Sequence, residues 1–233
     1  MYKEKKVTGV ILCAGSGSRF GIGINKVYEM ICDRPLISYS MEKFSNHPYI
    51  DDLVIVTKPE EVEMCKEVAE IYCNLDKTQI IYGGKERQES VYNALQITDG
   101  EIVIIHDGAR PLVTDKMISD CIEAMEEYSG VTIGVKSKDT IKITDDNGIV
   151  SSTTVRKNTW IIQTPQCFDL KLLMEGHELA NRQELGVTDD CMIIENMGKE
   201  VKLIEGEYSN IKVTIQEDLI LAEMFMNQRE QGD

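Results

Sequence analysis

The sequence predicts an α/β protein with a three-layer, Rossmann-like architecture, in which helices cover both faces of a mostly parallel sheet. Short apolar runs alternate with segments of helical apolar spacing along most of the chain. The first run, residues 7–13, is apolar almost without a break, as in a strand buried on both faces. Strands that alternate with helices of about 10–15 residues form right-handed crossover units, and such units build parallel sheets.

The predicted elements follow one another with short connections. A glycine-rich loop at residues 15–23 follows the first strand, and Thr114 is the predicted N-cap of the fourth helix. The predicted strands lie at residues 7–13, 53–57, 79–82, 102–106, 131–135, 201–204 and 211–213. The predicted helices lie at residues 36–44, 60–72, 87–97, 114–128 and 217–226, and the helix–strand pattern resumes at residue 170 after one interruption.

That interruption begins at about Lys136. Residues 140–144 and 149–154 flank the sequence Asp-Asp-Asn-Gly, and Asn-Gly is a strong hairpin signal. Both strands carry many polar side chains, so the hairpin cannot bury itself and is either a lid or an arm docked on another subunit. We therefore predict a single domain over residues 1–233, with residues 136–155 as a protruding arm that forms a homodimer.

Composition excludes several classes of function. The chain has 25 Lys and Arg against 40 Asp and Glu, a net charge of −15, which argues against nucleic acid as a partner. No apolar run is long enough to cross a membrane, and residues 1–15 lack the features of a signal peptide. The seven cysteines show no C-x-x-C spacing, as expected of reduced thiols, so we expect a cytoplasmic protein without a membrane partner.

Parallel sheets bind ligands beyond the carboxyl ends of their strands, where this chain carries small and charged residues. Ala14-Gly15-Ser16-Gly17-Ser18-Arg19 follows the first strand, and small residues let backbone amides approach phosphate oxygens. Phe20 stands where the dinucleotide fingerprint and the nucleoside-triphosphate loop both need glycine, so neither motif is present.

Other strand ends add candidate residues. The segment from Gly83 to Ser90 has paired glycines, and Asp107 ends an apolar strand beside a glycine, where a carboxylate suits Mg²⁺ or a ligand hydroxyl. His106 is interpreted as a hydrogen-bonded strand-end histidine rather than a base, and Thr188 as a helix N-cap. Five cations are expected near one sheet edge and favour a polyphosphate site: Arg19, Lys26, Arg110, Arg156 and Lys212.

The sequence shows no activated nucleophile. There is no G-x-S-x-G segment, and no cysteine has an obvious nearby base. The chemistry indicated is direct displacement at phosphorus, driven by positioning and charge neutralisation.

Nine short segments occur in a characteristic order: L-C-A-G-S-G-S-R-F, N-K-V-Y, G-G-K-E-R-Q-E-S-V, V-I-I-H-D-G-A-R-P, K-D-T-I-K, V-R-K-N-T-W, Q-T-P-Q-C-F, T-D-D and N-I-K-V-T. Together they resemble the bacterial 2-C-methyl-D-erythritol 4-phosphate cytidylyltransferases of isoprenoid synthesis, over about residues 7–223. The resemblance implies the nucleotidyltransferase fold and transfer of CMP from CTP to that polyol phosphate with release of pyrophosphate.

The resemblance also implies roles for individual residues. Arg19, Lys26 and Lys212 would be catalytic, with Lys26 and Lys212 at the α-phosphate, and Asp107 would lie beside Mg²⁺ and the ribose. The implied nucleotide-binding residues are Ala14, Gly15, Ser16, Gly17, Gly84, Lys85, Ser90 and Gly108. The implied residues for the polyol phosphate are Arg110, Thr140, Arg156, Thr164 and Thr188, of which Thr140 and Arg156 would come from the arm of a partner subunit.

Three alternatives stay open on the sequence. The ribitol 5-phosphate cytidylyltransferases of teichoic acid synthesis share much of the motif set. A nicotinamide-dependent oxidoreductase would have the same α/β pattern, although Thr57-Lys58 replaces the acidic residue expected after the second strand. A non-catalytic nucleotide-binding protein is the third alternative, because Lys85 and Ser209 stand where the cytidylyltransferases usually have Asp.

Overall fold

The computed structural model describes residues 1–15 and 25–232 of the protein. The strands within these residues are β1 (Val7–Leu12), β2 (Met30–Ile31), β3 (Arg34–Pro35), β4 (Asp52–Thr57), β5 (Thr78–Tyr82), β6 (Ile102–Asp107), β7 (Gly130–Lys136), β8 (Lys142–Thr144), β9 (Val150–Thr153), β10 (Trp160–Asp169) and β11 (Lys202–Glu205). The α-helices are α1 (Leu36–Asn46), α2 (Val62–Tyr72), α3 (Arg87–Ile97), α4 (Asp115–Ala124), α5 (Leu170–Arg182), α6 (Asp190–Asn196) and α7 (Gln216–Gly232).

Seven of these strands form one sheet in the order β11-β7-β10-β6-β1-β4-β5. β1 pairs in parallel with β4 on one side and with β6 on the other. The chain runs outward from β1 through β4 to β5 and then returns to place β6 on the opposite side of β1. The strand order therefore reverses between β1 and β6, and in open α/β sheets a ligand crevice lies at the carboxyl end of such a switch point.

Two helical layers cover the sheet, which confirms the predicted three-layer α/β class. One buried cluster joins the sheet to side chains such as Phe44 of α1, Cys65 of α2 and Ile118 of α4. A second cluster, on the other face, includes Leu95 of α3 and Leu173 of α5. These apolar side chains are removed from water on both sides of the central strands, which explains the almost continuous apolar sequence of β1.

Strand β10 was not foreseen in the sequence. It is ten residues long, and it runs antiparallel to β6 and β7 with a register shift between Ile162 and Gln166. The polar sequence Gln163-Thr164-Pro165-Gln166 interrupts its apolar pattern. These polar side chains are nonetheless buried and hydrogen-bonded, so the tertiary structure supplies partners that a local pattern does not reveal.

Two other predictions are wrong in detail. Residues 211–213 form no strand, because their backbone makes a single ladder-like contact, from the Val213 N–H to the Ala109 carbonyl oxygen at 2.8 Å. The N-cap of α6 is Asp189 rather than Thr188, since the Asp189 carboxylate accepts from the Met192 N–H at 3.1 Å. Thr114 does cap α4, as predicted, by accepting from Met117 N.

Residues 140–154 form the predicted hairpin. β8 and β9 pair with each other alone in a two-stranded sheet, and every residue of the two strands is exposed. Among the described helices, none is long and apolar enough to cross a membrane.

Candidate active site

A cavity of about 560 Å³ opens at the carboxyl edge of β1, β4 and β6, where the strand order reverses. Eight of the predicted site residues line it: Ala14, Gly15, Lys26, Gly84, Lys85, Ser90, Asp107 and Lys212. Lining residues outside the predicted set include Asn25, Lys58, Glu60, Glu86 and Arg87. Segments from six separate regions of the chain therefore converge on one cavity at the switch point.

Asp107 forms the centre of the charge distribution in this cavity. Its carboxylate lies 2.9 Å from Lys212 Nζ, 3.6 Å from Arg110 Nε and 3.7 Å from Arg87 Nε. Burial opposes ionisation of the Asp107 carboxyl, but the three cations outweigh burial and hold its pKa well below the usual range. The floor of the cavity thus presents one carboxylate among three positive charges, an excess of positive charge that favours an anionic ligand.

Lys212 reaches Asp107 because Asn210 fixes the segment that carries it. The Asn210 side chain is fully buried, and its Nδ2 donates to the Thr164 carbonyl oxygen at 3.0 Å. The Asn210 carbonyl oxygen in turn accepts from Arg110 Nη1 at 2.9 Å. Lys212 therefore stands on an extended segment held to β10 and to the loop after β6, which replaces the strand predicted there.

Arg87 and Asp190 form a buried ion pair that was not predicted from the sequence. Arg87 Nη2 lies 2.7 Å from Asp190 Oδ2, and the Asp190 side chain is inaccessible to solvent. Burial disfavours both charges, yet Arg87 lowers the pKa of Asp190, and the two carboxylates of Asp190 and Asp107 raise the pKa of Arg87. The sequence contains one signal for such a partner. Arg87 begins α3, and a cation at a helix N-terminus interacts unfavourably with the helix dipole unless acidic groups lie nearby.

The loop between β5 and α3 forms one wall of the cavity. Ser90 Oγ accepts from the Gly84 N–H at 3.0 Å and donates to the Glu86 carbonyl oxygen at 3.0 Å. The Glu89 carboxylate accepts from the Lys85 N–H at 2.7 Å. A Cβ atom at Gly84 would lie 2.2 Å from Glu89 Cγ, so only glycine leaves room for this folded loop.

Three predicted site residues, Thr164, Gly108 and Arg110, lie beneath or beside the cavity. The Thr164 hydroxyl accepts from the Asp107 N–H at 3.0 Å and contacts His106 Nδ1 at 3.0 Å. His106 is fully buried, and burial lowers its pKa to about 4, as expected of a structural histidine. Arg110 lies under Asp107, and the Gly108 N–H donates to the Leu12 carbonyl oxygen at 2.9 Å. Thr164, Gly108 and Arg110 thus hold the end of β6 in place.

The remaining predicted residues lie elsewhere. Thr140 and Arg156 stand at the base of the hairpin, where Arg156 Nη2 donates to Thr140 Oγ1 at 2.7 Å, and neither lines the cavity of its own chain. Thr188 is exposed beside the cap of α6. Ser16, Gly17 and Arg19 lie outside the described residues.

The donor set near Asp107 suits a metal that is carried mainly by a ligand. The described residues contain no group of three or more His, Cys, Asp or Glu side chains that could hold an ion by themselves. Mg²⁺ in phosphate-transfer sites is commonly held by one or two carboxylates together with substrate phosphates. Asp107 at the cavity floor fits that pattern and would be the protein ligand of such an ion.

Comparison with known proteins agrees with this geometry. The family model of 2-C-methyl-D-erythritol 4-phosphate cytidylyltransferase (IspD) matches residues 7–228. A protein of that name from Clostridium kluyveri is 45% identical over 92% of this chain and 94% of its own length, and one from Clostridium botulinum is 43% identical over 93% and 96%. The crystal structure of 4-diphosphocytidyl-2C-methyl-D-erythritol synthase from Anaerococcus prevotii superposes with a TM-score of 0.87, at 32% identity over 96% of both chains.

These matches span nearly the whole chain and favour this family over the ribitol phosphate enzymes, the oxidoreductases and a non-catalytic protein. The chain therefore belongs to the 2-C-methyl-D-erythritol 4-phosphate cytidylyltransferase family.

Proposed function

We propose that this nucleotidyltransferase transfers the cytidylyl group of CTP to 2-C-methyl-D-erythritol 4-phosphate in the cavity at the β1–β6 edge. The observation that carries the proposal is the meeting of Lys26, Lys212 and Asp107 in one cavity at the switch point of the sheet. Family membership supplies the donor and the acceptor, and it places the reaction in the non-mevalonate synthesis of isoprenoid precursors.

The reaction is an in-line displacement. A phosphate oxygen of the acceptor bonds to the α-phosphorus of CTP, the bond from that phosphorus to the bridging oxygen breaks, and pyrophosphate leaves with the electron pair. A phosphate monoester is already nucleophilic at neutral pH, so this step needs no general base. Negative charge grows around the α-phosphorus as it becomes pentacoordinate, and we assign its stabilisation to Lys26 and Lys212, assisted by Arg19.

The nucleoside part of CTP belongs, in this proposal, to the wall formed by the loop after β1 and the β5–α3 loop. Backbone groups of Ala14, Gly15 and Gly84, with the Ser90 hydroxyl behind them, are the groups available to a base and ribose. Ser16, Gly17, Lys85 and Gly108 complete the proposed nucleotide-binding set. Close approach of a ligand to backbone groups requires small residues, which this wall provides.

We also propose Mg²⁺ as the metal, with Asp107 as its protein ligand. When bound, Mg²⁺ would neutralise phosphate charge and favour departure of pyrophosphate. The proposal predicts that turnover is lost on chelation and returns with added Mg²⁺. Full turnover in excess chelator would contradict it.

The polyol phosphate would bind between two subunits. Arg110, Thr164 and Thr188 belong to the chain that holds CTP, whereas Thr140 and Arg156 are proposed to come from the partner's arm. The hydrogen bond between Arg156 and Thr140 presents these two side chains as one unit. The arm also exposes aliphatic side chains that an interface would cover, namely Ile141, Ile143, Ile149, Val150 and Val155.

Further parts of the proposal rest on the sequence. We propose that residues 1–233 form one catalytic domain with residues 136–155 as its arm, and that the protein acts in the cytoplasm. We propose neither a nucleic-acid nor a membrane partner, because a net charge of −15 repels phosphate backbones and anionic lipids alike.

The test is pyrophosphate release from CTP and Mg²⁺ with two acceptors, 2-C-methyl-D-erythritol 4-phosphate and ribitol 5-phosphate. We expect strong preference for the methylerythritol phosphate. Preference for ribitol 5-phosphate would contradict the proposed acceptor and indicate a role in cell-wall polymer synthesis. Failure to release pyrophosphate with either acceptor would contradict the proposed activity.

A further inference from the structure

The Glu61 carboxylate joins two segments that line the nucleotide cavity. Its Oε2 accepts from Asn25 Nδ2 at 2.8 Å, and its Oε1 accepts from Lys58 Nζ at 3.2 Å. The Glu61 side chain is 12% exposed, and Asn25 is buried. Asn25 and Lys58 both line the cavity, whereas Glu61 stands behind them, so its carboxylate acts on the site through its neighbours.

The Glu61 carboxylate does not cap α2, although Glu61 stands at the position from which a side chain commonly does so. It is the residue before α2, and side chains there commonly accept from the first free N–H groups of the helix. No such capping bond is formed by Glu61. The carboxylate instead reaches a side chain 36 positions earlier in the chain, which indicates a role outside α2.

The contact with Asn25 fixes the backbone from which Lys26 projects. Asn25 Nδ2 also donates to the Cys13 carbonyl oxygen, at 2.7 Å, just beyond β1. Its Oδ1 accepts from the Val27 N–H at 3.4 Å and caps the short 3₁₀ helix Lys26–Tyr28. Three contacts thereby hold Asn25. The contact with Glu61 is the one that comes from the segment between β4 and α2.

We propose that Glu61 is a positioning residue for Lys26: its hydrogen bond to Asn25 sets where the Lys26 ammonium stands relative to the α-phosphorus. The inference rests on the catalytic role proposed above for Lys26. Lys58 pairs with the largely buried Glu61 carboxylate at 3.2 Å and so compensates its charge. Positioning matters to the rate because a reacting group displaced by about 1 Å can cost roughly 100-fold.

The test compares two substitutions at the same position. Glu61→Ala removes the acceptor of Asn25, and we expect kcat to fall by roughly 10- to 100-fold with a smaller change in the KM for CTP. Glu61→Gln keeps an oxygen that can accept from Asn25, so we expect kcat within about threefold of the wild type. A Glu61→Gln variant as impaired as Glu61→Ala would overturn the inference.

A matched control lies nearby on α2. Glu63 is an exposed carboxylate paired with Lys66 at 2.7 Å, away from the cavity. Glu63→Ala removes a similar ion pair, and we expect both kcat and KM to stay at wild-type values. Thermal unfolding of each variant then separates a loss of stability from a loss of positioning.

A double substitution separates this inference from the proposed function. On a Lys26→Ala background, Glu61→Ala should cause no further loss of kcat, because the group that it positions is gone. A full additional loss would show a general structural role and overturn the inference. If Lys26→Ala lowers kcat while Glu61→Ala alone does not, the positioning role fails and the proposed function stands.

Unfolding of the Glu61→Ala variant would not end the test. Asn25→Ala leaves the pair of Glu61 and Lys58 intact and breaks the same link from the other side. We expect the kcat loss of Asn25→Ala to be at least as large as that of Glu61→Ala, because Asn25→Ala also removes the bonds to Cys13 and Val27. Wild-type turnover by Asn25→Ala would overturn the inference.

Discussion

Lys212 Nζ lies 2.9 Å from Asp107 Oδ2 at the floor of the nucleotide cavity, although the two residues belong to distant parts of the chain. Two further cations, Arg87 and Arg110, lie within 3.7 Å and 3.6 Å of the same carboxylate. Lys212 can therefore turn toward an incoming phosphate without leaving Asp107 unpaired. In that movement Lys212 exchanges the Asp107 carboxylate for a phosphate and keeps an anionic partner. The positive charges of the cavity are therefore in place before a polyphosphate binds.

The first prediction concerns the two lysines of the cavity. Lys26→Ala and Lys212→Ala should each lower kcat by roughly 100-fold, or about 3 kcal/mol, by analogy with the loss of one oxyanion-hole donor. The KM for CTP should change less, since the charge that they stabilise develops in the transition state. Steady-state kinetics check this, with Lys116→Ala as the control because that lysine is exposed and paired with Asp120. An effect below about tenfold for both cavity lysines would refute the assignment.

The second prediction concerns the buried pair of Arg87 and Asp190. Asp190→Asn removes the buried carboxylate that lies 2.7 Å from Arg87, so the free energy of unfolding near neutral pH should fall by about 3 kcal/mol. The pKa of Asp190 is lowered in the folded state, so its stabilising contribution is present above the unfolded pKa of about 4 and is lost as pH falls below that value.

Urea unfolding at neutral and acidic pH measures this contribution. The difference in the free energy of unfolding between wild type and Asp190→Asn should shrink as the solution becomes more acidic than about pH 4. Asp120→Asn, which removes the carboxylate of an exposed pair, should change stability by less than about 1 kcal/mol. An equal difference at both pH values would contradict a stabilising contribution from the ionised Asp190 carboxylate.

The third prediction concerns the wall formed by the β5–α3 loop. Gly84→Ala would place a Cβ 2.2 Å from Glu89 Cγ and 2.5 Å from Glu89 Cβ, so the loop or the helix start must move. Because we propose that this wall binds the nucleoside, we expect the KM for CTP to rise by roughly tenfold or more, with a smaller effect on kcat. Gly186→Ala is the control, since a Cβ at Gly186 would meet nothing within 4 Å. An unchanged KM for CTP would contradict binding of the nucleoside at this wall.

The fourth prediction concerns the arm. We expect the wild type to sediment at twice the chain mass of 26.3 kDa. A combined Ile143→Asp and Val150→Asp variant should shift toward the monomer and lose activity, because it places charge on the apolar surface proposed as the interface. Ile71→Asp, at a site 73% exposed on α2, should leave the assembly unchanged. A monomeric, fully active wild type would contradict the role of the arm.

Much of this fold follows from local sequence because strands buried on both faces leave a clear signal. The observed α3 has the predicted bounds, and β1, β4, β6 and β7 lie within one or two residues of prediction. β10 escaped because its polar residues obtain partners only from other elements, such as Gln166 with Asp189. Residues 211–213 resemble a strand because two apolar residues, Ile211 and Val213, alternate with Lys212, but Val213 packs into the cluster beneath α7 instead.

Residues of the candidate site could be predicted from the sequence where charged side chains lie near the ends of predicted strands. Lys26, Asp107 and Lys212 are charged residues that the sequence places near one edge of the sheet, and all three line the cavity. Asp190 was passed over for Thr188, because a sequence shows a capping motif but does not show which carboxylate faces a buried arginine. Long-range partners of this kind depend on tertiary packing, and no local spacing encodes them.

The most direct measurement is a single-turnover rapid-quench experiment with CTP labelled at the α-phosphorus. With 2-C-methyl-D-erythritol 4-phosphate and Mg²⁺, the label should pass from CTP to the polyol phosphate product, and the Lys26→Ala and Lys212→Ala variants should transfer it far more slowly. Label transfer at the wild-type rate by both variants, or no transfer by the wild type, would contradict the role of this cavity.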